Sequence, residues 1–215
     1  MKYQCFKKGK TMKFEIEFTE PLLGTLSGNK EIAEEFINSK HPEGYSEEES
    51  EMHPDEELEK SSTIFARDGG KLMLWDYQFK GFLKEACEQM INSGTMTKEA
   101  LKGPNNSLRL TQYLYKKTID KQIFVFPRRI HLILPNGAKT EFIERPLRGQ
   151  TMRGERICLA RSESVPAGTK VNISIQCLNE KLITFIPQWL TYGALLGMGQ
   201  WRSSGMGRFS FKEIK

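Results

Sequence analysis

The chain has 215 residues, 38% of them hydrophobic and 27% charged, with a net charge of +5. That is enough for one large domain with a real core, or for two small ones. No apolar run approaches the ~18–20 residues of a membrane-crossing helix. The basic stretch 1–13 is followed by no apolar segment, so no secretory signal is expected. Cys5, Cys87, Cys158 and Cys177 form no CxxC pair and none stands near a histidine, which argues against a zinc site and a disulfide framework. Cys87 and Cys177 fall on apolar faces and read as buried free thiols, so a reducing, cytoplasmic location is expected.

In chain order, residues 13–18 (KFEIEF) alternate apolar and charged side chains, the pattern of a half-buried strand. Residues 21–28 are turn-rich, and Asn29 suits the cap of a short helix with Ile32, Ala33, Phe36 and Ile37 on one face. Residues 41–62 break the pattern. Nine acids stand between Glu43 and Glu59 with no Lys or Arg among them, which reads as an acidic loop insertion.

Short strands are expected at 63–65 and 72–74 around Asp68-Gly69-Gly70. Asp76 reads as an N-cap, and Phe79, Phe82, Leu83, Ala86, Cys87 and Met90 then recur at helical spacing. A loop over 92–107 precedes a second helix over 108–120. Residues 123–126 form an apolar strand. Ile130, Leu132 and Leu134 alternate up to a Pro135-Asn136-Gly137 turn, which predicts a hairpin with a return strand at 140–144. Strands at 155–161 and 170–178 follow. A helix over 179–192 is interrupted by Pro187, so it either kinks there or starts its regular part there. A glycine-rich segment and a strand over 208–214 close the chain. Strands and helices do not alternate strictly, so the expected fold class is α+β, an antiparallel sheet with helices on one face. It reads as a single domain over 1–215, with the acidic insertion at 41–62 and the glycine-rich loop at 193–208.

Charge is segregated. Between Arg128 and Arg161 eight cations face three acids, the balance of a polyanion binder or of an ordinary solvated surface. Arg145, Arg148 and Arg153 lie in a glycine-containing stretch over 144–154 that reads as a phosphate-gripping loop or as a long hairpin with solvated arginines. Tyr113, Tyr115, Lys116 and Lys117 would add stacking and charge, or pack in the core.

Residues 193–209 read GALLGMGQWRSSGMGRF. Glycines at this density permit positive φ and close backbone approach, and successive free N–H groups form an anion nest. Arg202 and Arg208 suit bidentate phosphate contact, and Trp201 offers a face for a base. The segment lacks the lysine of GxxxxGK[ST] and follows a helix rather than a first strand, so it is neither common nucleotide loop. A purely structural glycine loop is the alternative.

The pattern GxGxxxxxGxGRF, carried by Gly197, Gly199, Gly205, Gly207, Arg208 and Phe209, resembles the signature of the RAMP superfamily, the repeat-associated RNA-binding proteins of CRISPR effector complexes and guide-RNA processing. The strand at 170–178 and the helix to 192 stand in the order that family requires. The resemblance implies a ferredoxin-like (RRM-like) core that binds RNA or another single-stranded nucleic acid. The chain also looks similar to uncharacterised phage and prophage proteins of Firmicutes, which implies a stand-alone phage protein. Site residues on this reading are Gly197, Gly199, Trp201, Arg202, Gly205, Gly207 and Arg208, with Arg129, Arg145, Arg148 and Arg153.

Chemistry is not compelled. His41 and His53 lie in the acidic segment, each followed by proline. His131, beside Arg129, suits a base for a metal-independent endoribonuclease, since that reaction needs a base for the 2′-OH and cations for the phosphorane; a plain strand histidine is the alternative. No metal or cofactor is expected. A third reading is a phage anti-defence protein that sequesters a guide RNA, a nucleotide signal or a host protein.

Overall fold

A computed structural model of the protein describes residues 9–28, 62–96, 102–103, 108, 110–151 and 154–214, the stretches 147–151 and 154–159 as backbone only. The expected helix after Asn29, the acidic segment and its histidines, Arg153 and the Arg148 side chain lie outside the described residues.

The main sheet is built from β1 (Lys10–Phe18), β7 (Ile123–Phe126), β11 (Lys170–Cys177) and β12 (Phe209–Ile214), in the spatial order β12-β1-β11-β7. Each neighbouring pair is antiparallel. Taken in chain order these four strands sit fourth, first, third, second. The crossovers carry α1 (Asp76–Asn92) and α2 (Tyr115–Gln122) before β7, then α3 (Ile186–Thr191) and α4 (Gly193–Leu196) before β12. This is the βαββαβ arrangement of a ferredoxin-like core. The alternation in β1 sets its faces: Phe14, Ile16 and Phe18 are fully buried. Phe209 meets Phe18 edge-on at 5.9 Å and Phe82 of α1 at 5.1 Å, which fastens helix to sheet. The opposite face carries Glu15 and Glu17, paired with Lys170 and Lys212.

Two further sheets flank this core. One joins β2 (Leu22–Leu23), β3 (Leu26–Ser27), β4 (Thr63–Ile64), β9 (Glu141–Thr151) and β10 (Gly154–Val165); the other joins β5 (Ala66–Asp68), β6 (Lys71–Trp75) and β8 (Arg129–His131). Glu163 of β10 is 1% exposed. It accepts from the Phe65 amide at 2.9 Å and from Arg67 at 2.6 Å, tying β4 and β5 to β10.

Several sequence expectations are corrected. The fold has three sheets rather than one. The turn at Pro135–Gly137 forms, with Ala138 N–H donating to Pro135 O at 3.0 Å, but β8 pairs with β6 and β9 pairs with β10. A turn fixes a local reversal; the strand partner is chosen by which distant edge is free. The stretch 144–154 follows its hairpin alternative: residues 144–151 lie in β9 and Gly154 opens β10. Trp75, not Asp76, caps α1, with its N–H donating to Gln78 Oε1 at 2.8 Å. The helix expected over 108–120 is Tyr115–Gln122. The region around Pro187 divides as one alternative had it: a 3-10 turn over Glu180–Phe185, then regular helix with the proline in its first turn.

The apolar stripe of α1 buries Phe79, Phe82, Leu83, Ala86 and Cys87. Burial pushes the Cys87 and Cys177 thiols up to about 12, as the buried-thiol reading required. Gly81 interrupts the same helix, where glycine costs about 0.5–1 kcal/mol relative to alanine. No helix among the described residues is long and apolar enough to cross a membrane.

Candidate nucleic-acid interface

The glycine-rich segment links α4 to β12, and its two Gly-Met-Gly arms lie against each other. Met198 N–H donates to Gly207 O and Gly207 N–H to Pro21 O, both at 2.8 Å. Gly197 and Gly207 are buried at φ 77° and 69°. A Cβ on Gly207 would fall on the Met198 carbonyl, and one on Gly197 would lie 2.8 Å from Gly207 C. These two glycines are therefore required by the loop's own packing. Their amides are spent internally, as are those of Met198, Ser204 and Gly205. The nest expected along the whole segment contracts to its tip.

At that tip the amides of Gly199, Gln200, Trp201, Arg202 and Ser203 donate to nothing among the described residues. Trp201 is left-handed (φ 57°, ψ 34°) and leads into the 3-10 turn Arg202–Ser204. This alternation of hand turns successive N–H groups toward one side. A bulky residue at positive φ is a strained outlier, costing ~1–3 kcal/mol, and persists only where its surroundings hold it.

What holds it is Arg145. This residue projects from β9 and is 6% exposed. Its guanidinium donates to Ser162 Oγ at 3.1 Å and to Gln200 Oε1 at 2.5 Å, and lies 5.4 Å from the centroid of the Trp201 ring. All these partners are neutral, and among the described residues no carboxylate pairs with it. Burial pulls its pKa down, yet a guanidinium stays charged at any ordinary pH. Among the described residues, a cation without a counter-charge thus sits directly behind amides without acceptors.

The other cations divide. Arg202 reaches α1 and pairs with Glu85 at 2.6 Å. Arg208 is exposed and runs beside Gly205, with no carboxylate partner among the described residues. Arg129 lies elsewhere, on β8, where Asp68 accepts from it at 3.1 Å and contacts His131 Nε2 at 2.9 Å. The structure thus brings Trp201, Arg202, Arg208 and Arg145 together around the glycines and sets Arg129 and His131 apart. Tyr113 is 90% exposed, whereas Tyr115 is buried.

Gln200, Ser162, Glu85 and Asp68 carried no local signal in the sequence; each matters through a partner 17 to 117 residues away. A cavity of about 270 Å³ lies between the loop and α1, bordered by Gly197, Met198, Gly199 and Arg202 on one side and by Tyr77, Gly81 and Glu85 on the other. Among the described residues no cluster of His, Cys, Asp or Glu suits a metal ion.

No family model matches the chain and no curated protein matches it. Among solved structures it is similar to a chain of the type III-B Cmr-beta assembly, determined by cryo-EM bound to cognate target RNA. The likeness has 10% identity and a TM-score of 0.48, covering 97% of this chain and 61% of that one.

Proposed function

We propose that this protein binds single-stranded RNA, holding phosphates on the tip of the glycine-rich loop. One observation carries the reading: Arg145 is buried beneath the loop, and among the described residues its partners are all neutral. Burying a lone charge is costly, and buried charges are ordinarily paired. A cation kept there with free amides in front of it projects positive potential outward. Arg208 extends that field at the rim, and Arg202 joins it on exchanging Glu85 for a phosphate. The resemblance of the Gly197–Phe209 motif to RAMP proteins, together with the ferredoxin-like strand order, supports RNA as the polyanion. The expected behaviour is binding of a 20-nucleotide RNA that weakens linearly in log affinity against log salt. Anisotropy titrations across a salt series check this; flat affinity, or none at low salt, would sink the proposal.

A second reading is favoured by the contact of Asp68 with His131 Nε2 at 2.9 Å. A carboxylate on one ring nitrogen orients the imidazole and leaves Nδ1 to take a proton. Beside Arg129, this pair suits metal-independent cleavage at a 2′-OH. Labelled RNA incubated in EDTA tests it, with products expected from the wild type and absent in His131→Ala.

A further inference from the structure

Helix α1 carries a glycine that neither conformation nor packing requires. Gly81 is helical, and a Cβ built on it meets nothing within 4 Å. It is exposed and stands at the edge of the cavity beneath the glycine-rich loop. A residue that weakens its own helix and leaves open space keeps the backbone accessible to something arriving from outside. The cavity it borders is walled by Phe65, Met73, Trp75 and Met198, with the Trp75 and Tyr77 rings stacked at 13°. Its volume, about 270 Å³, lies below the ~300–1,000 Å³ of pockets for drug-sized ligands, which suits a single flat ring system. Glu85 stands at the rim with one oxygen held by Arg202; its other oxygen has no partner among the described residues.

We infer that this cavity receives one nucleobase, unstacked from the strand whose phosphates lie on the loop and admitted past Gly81, its edge read by the Glu85 carboxylate. The inference rests on the RNA-binding reading. The apolar walls take the faces of the base, and the carboxylate accepts from an exocyclic amine. Adenine, cytosine and guanine each carry such an amine. Uracil presents one N–H flanked by two carbonyl oxygens, which a carboxylate repels. The site therefore discriminates by the amine.

The test is anisotropy with labelled twelve-nucleotide oligo(A) and oligo(U). Wild type is expected to bind oligo(A) at least ~5-fold more tightly, the lower end of what a matched base-edge contact contributes to discrimination. Gly81→Leu closes the entrance with a better helix former. It should lower oligo(A) affinity to the oligo(U) level while leaving the salt slope unchanged. Glu85→Gln, a second variant that leaves the helix packing alone, should narrow the A-to-U ratio. A ratio unchanged in both variants, with wild-type melting temperatures, overturns the base site and leaves the RNA reading standing. Failure of wild type to bind either oligonucleotide overturns the RNA reading itself.

Discussion

Two buried charges on neighbouring strands are treated in opposite ways. Glu163 on β10 is sealed from solvent and compensated by Arg67 and by the Phe65 amide. Arg145 on β9 is nearly as buried, but its hydrogen bonds run to a serine and a glutamine. The first arrangement closes on itself and does structural work. The second leaves a charge that has no counter-ion among the described residues, beneath a strained tryptophan and a row of amides that donate to none of those residues. On the proposed RNA-binding reading, the second is the place where an outside anion completes the set.

That contrast can be broken in order of effect. Removing the compensated charge should be the most damaging: Glu163→Ala strands Arg67 and an amide, and is expected to cost about 3–5 kcal/mol in urea unfolding. Next, Gly207→Ala forces a Cβ against the Met198 carbonyl at positive φ, and should destabilise by about 2 kcal/mol while loosening RNA binding. Arg145→Met should separate function from stability. Its loss frees two neutral partners at a cost of no more than ~2 kcal/mol, whereas RNA affinity is expected to fall at least ~10-fold, about 1.4 kcal/mol. A stability loss matching that of Glu163→Ala, with affinity retained, would erase the distinction between the two charges. The smallest effect belongs to the rim: Arg202→Ala with Arg208→Ala should weaken binding about tenfold and lower the salt slope by about two phosphate contacts, roughly −0.7 each for a single strand.

The local rules performed well where a periodic pattern met a single surface. The alternation of β1 and the stripe of α1 each name their buried side chains, because both patterns report which face meets the core. The glycine motif named residues that bend the loop, yet read its amides as open to a ligand along the whole length. Half of them close the loop on itself, an outcome that depends on Pro21 and Met198 lying alongside. The 144–154 stretch stayed open between a loop and a long hairpin because its glycines and arginines suit either, and the eleven-residue register with β10 decides for the hairpin.

By itself, then, the amino-acid order determined the α+β class, the buried Cys87 and Cys177 and the amphipathic helix, since all of these follow from spacing and residue type along a short window. The tertiary structure alone decided that β8 and β9 part company, that Arg202 meets Glu85, that Asp68 serves His131, and that Arg145 lies buried behind Gln200 and Trp201. Those choices join residues up to 117 positions apart. Their energies come from desolvation and mutual geometry, quantities that exist only after the chain has packed.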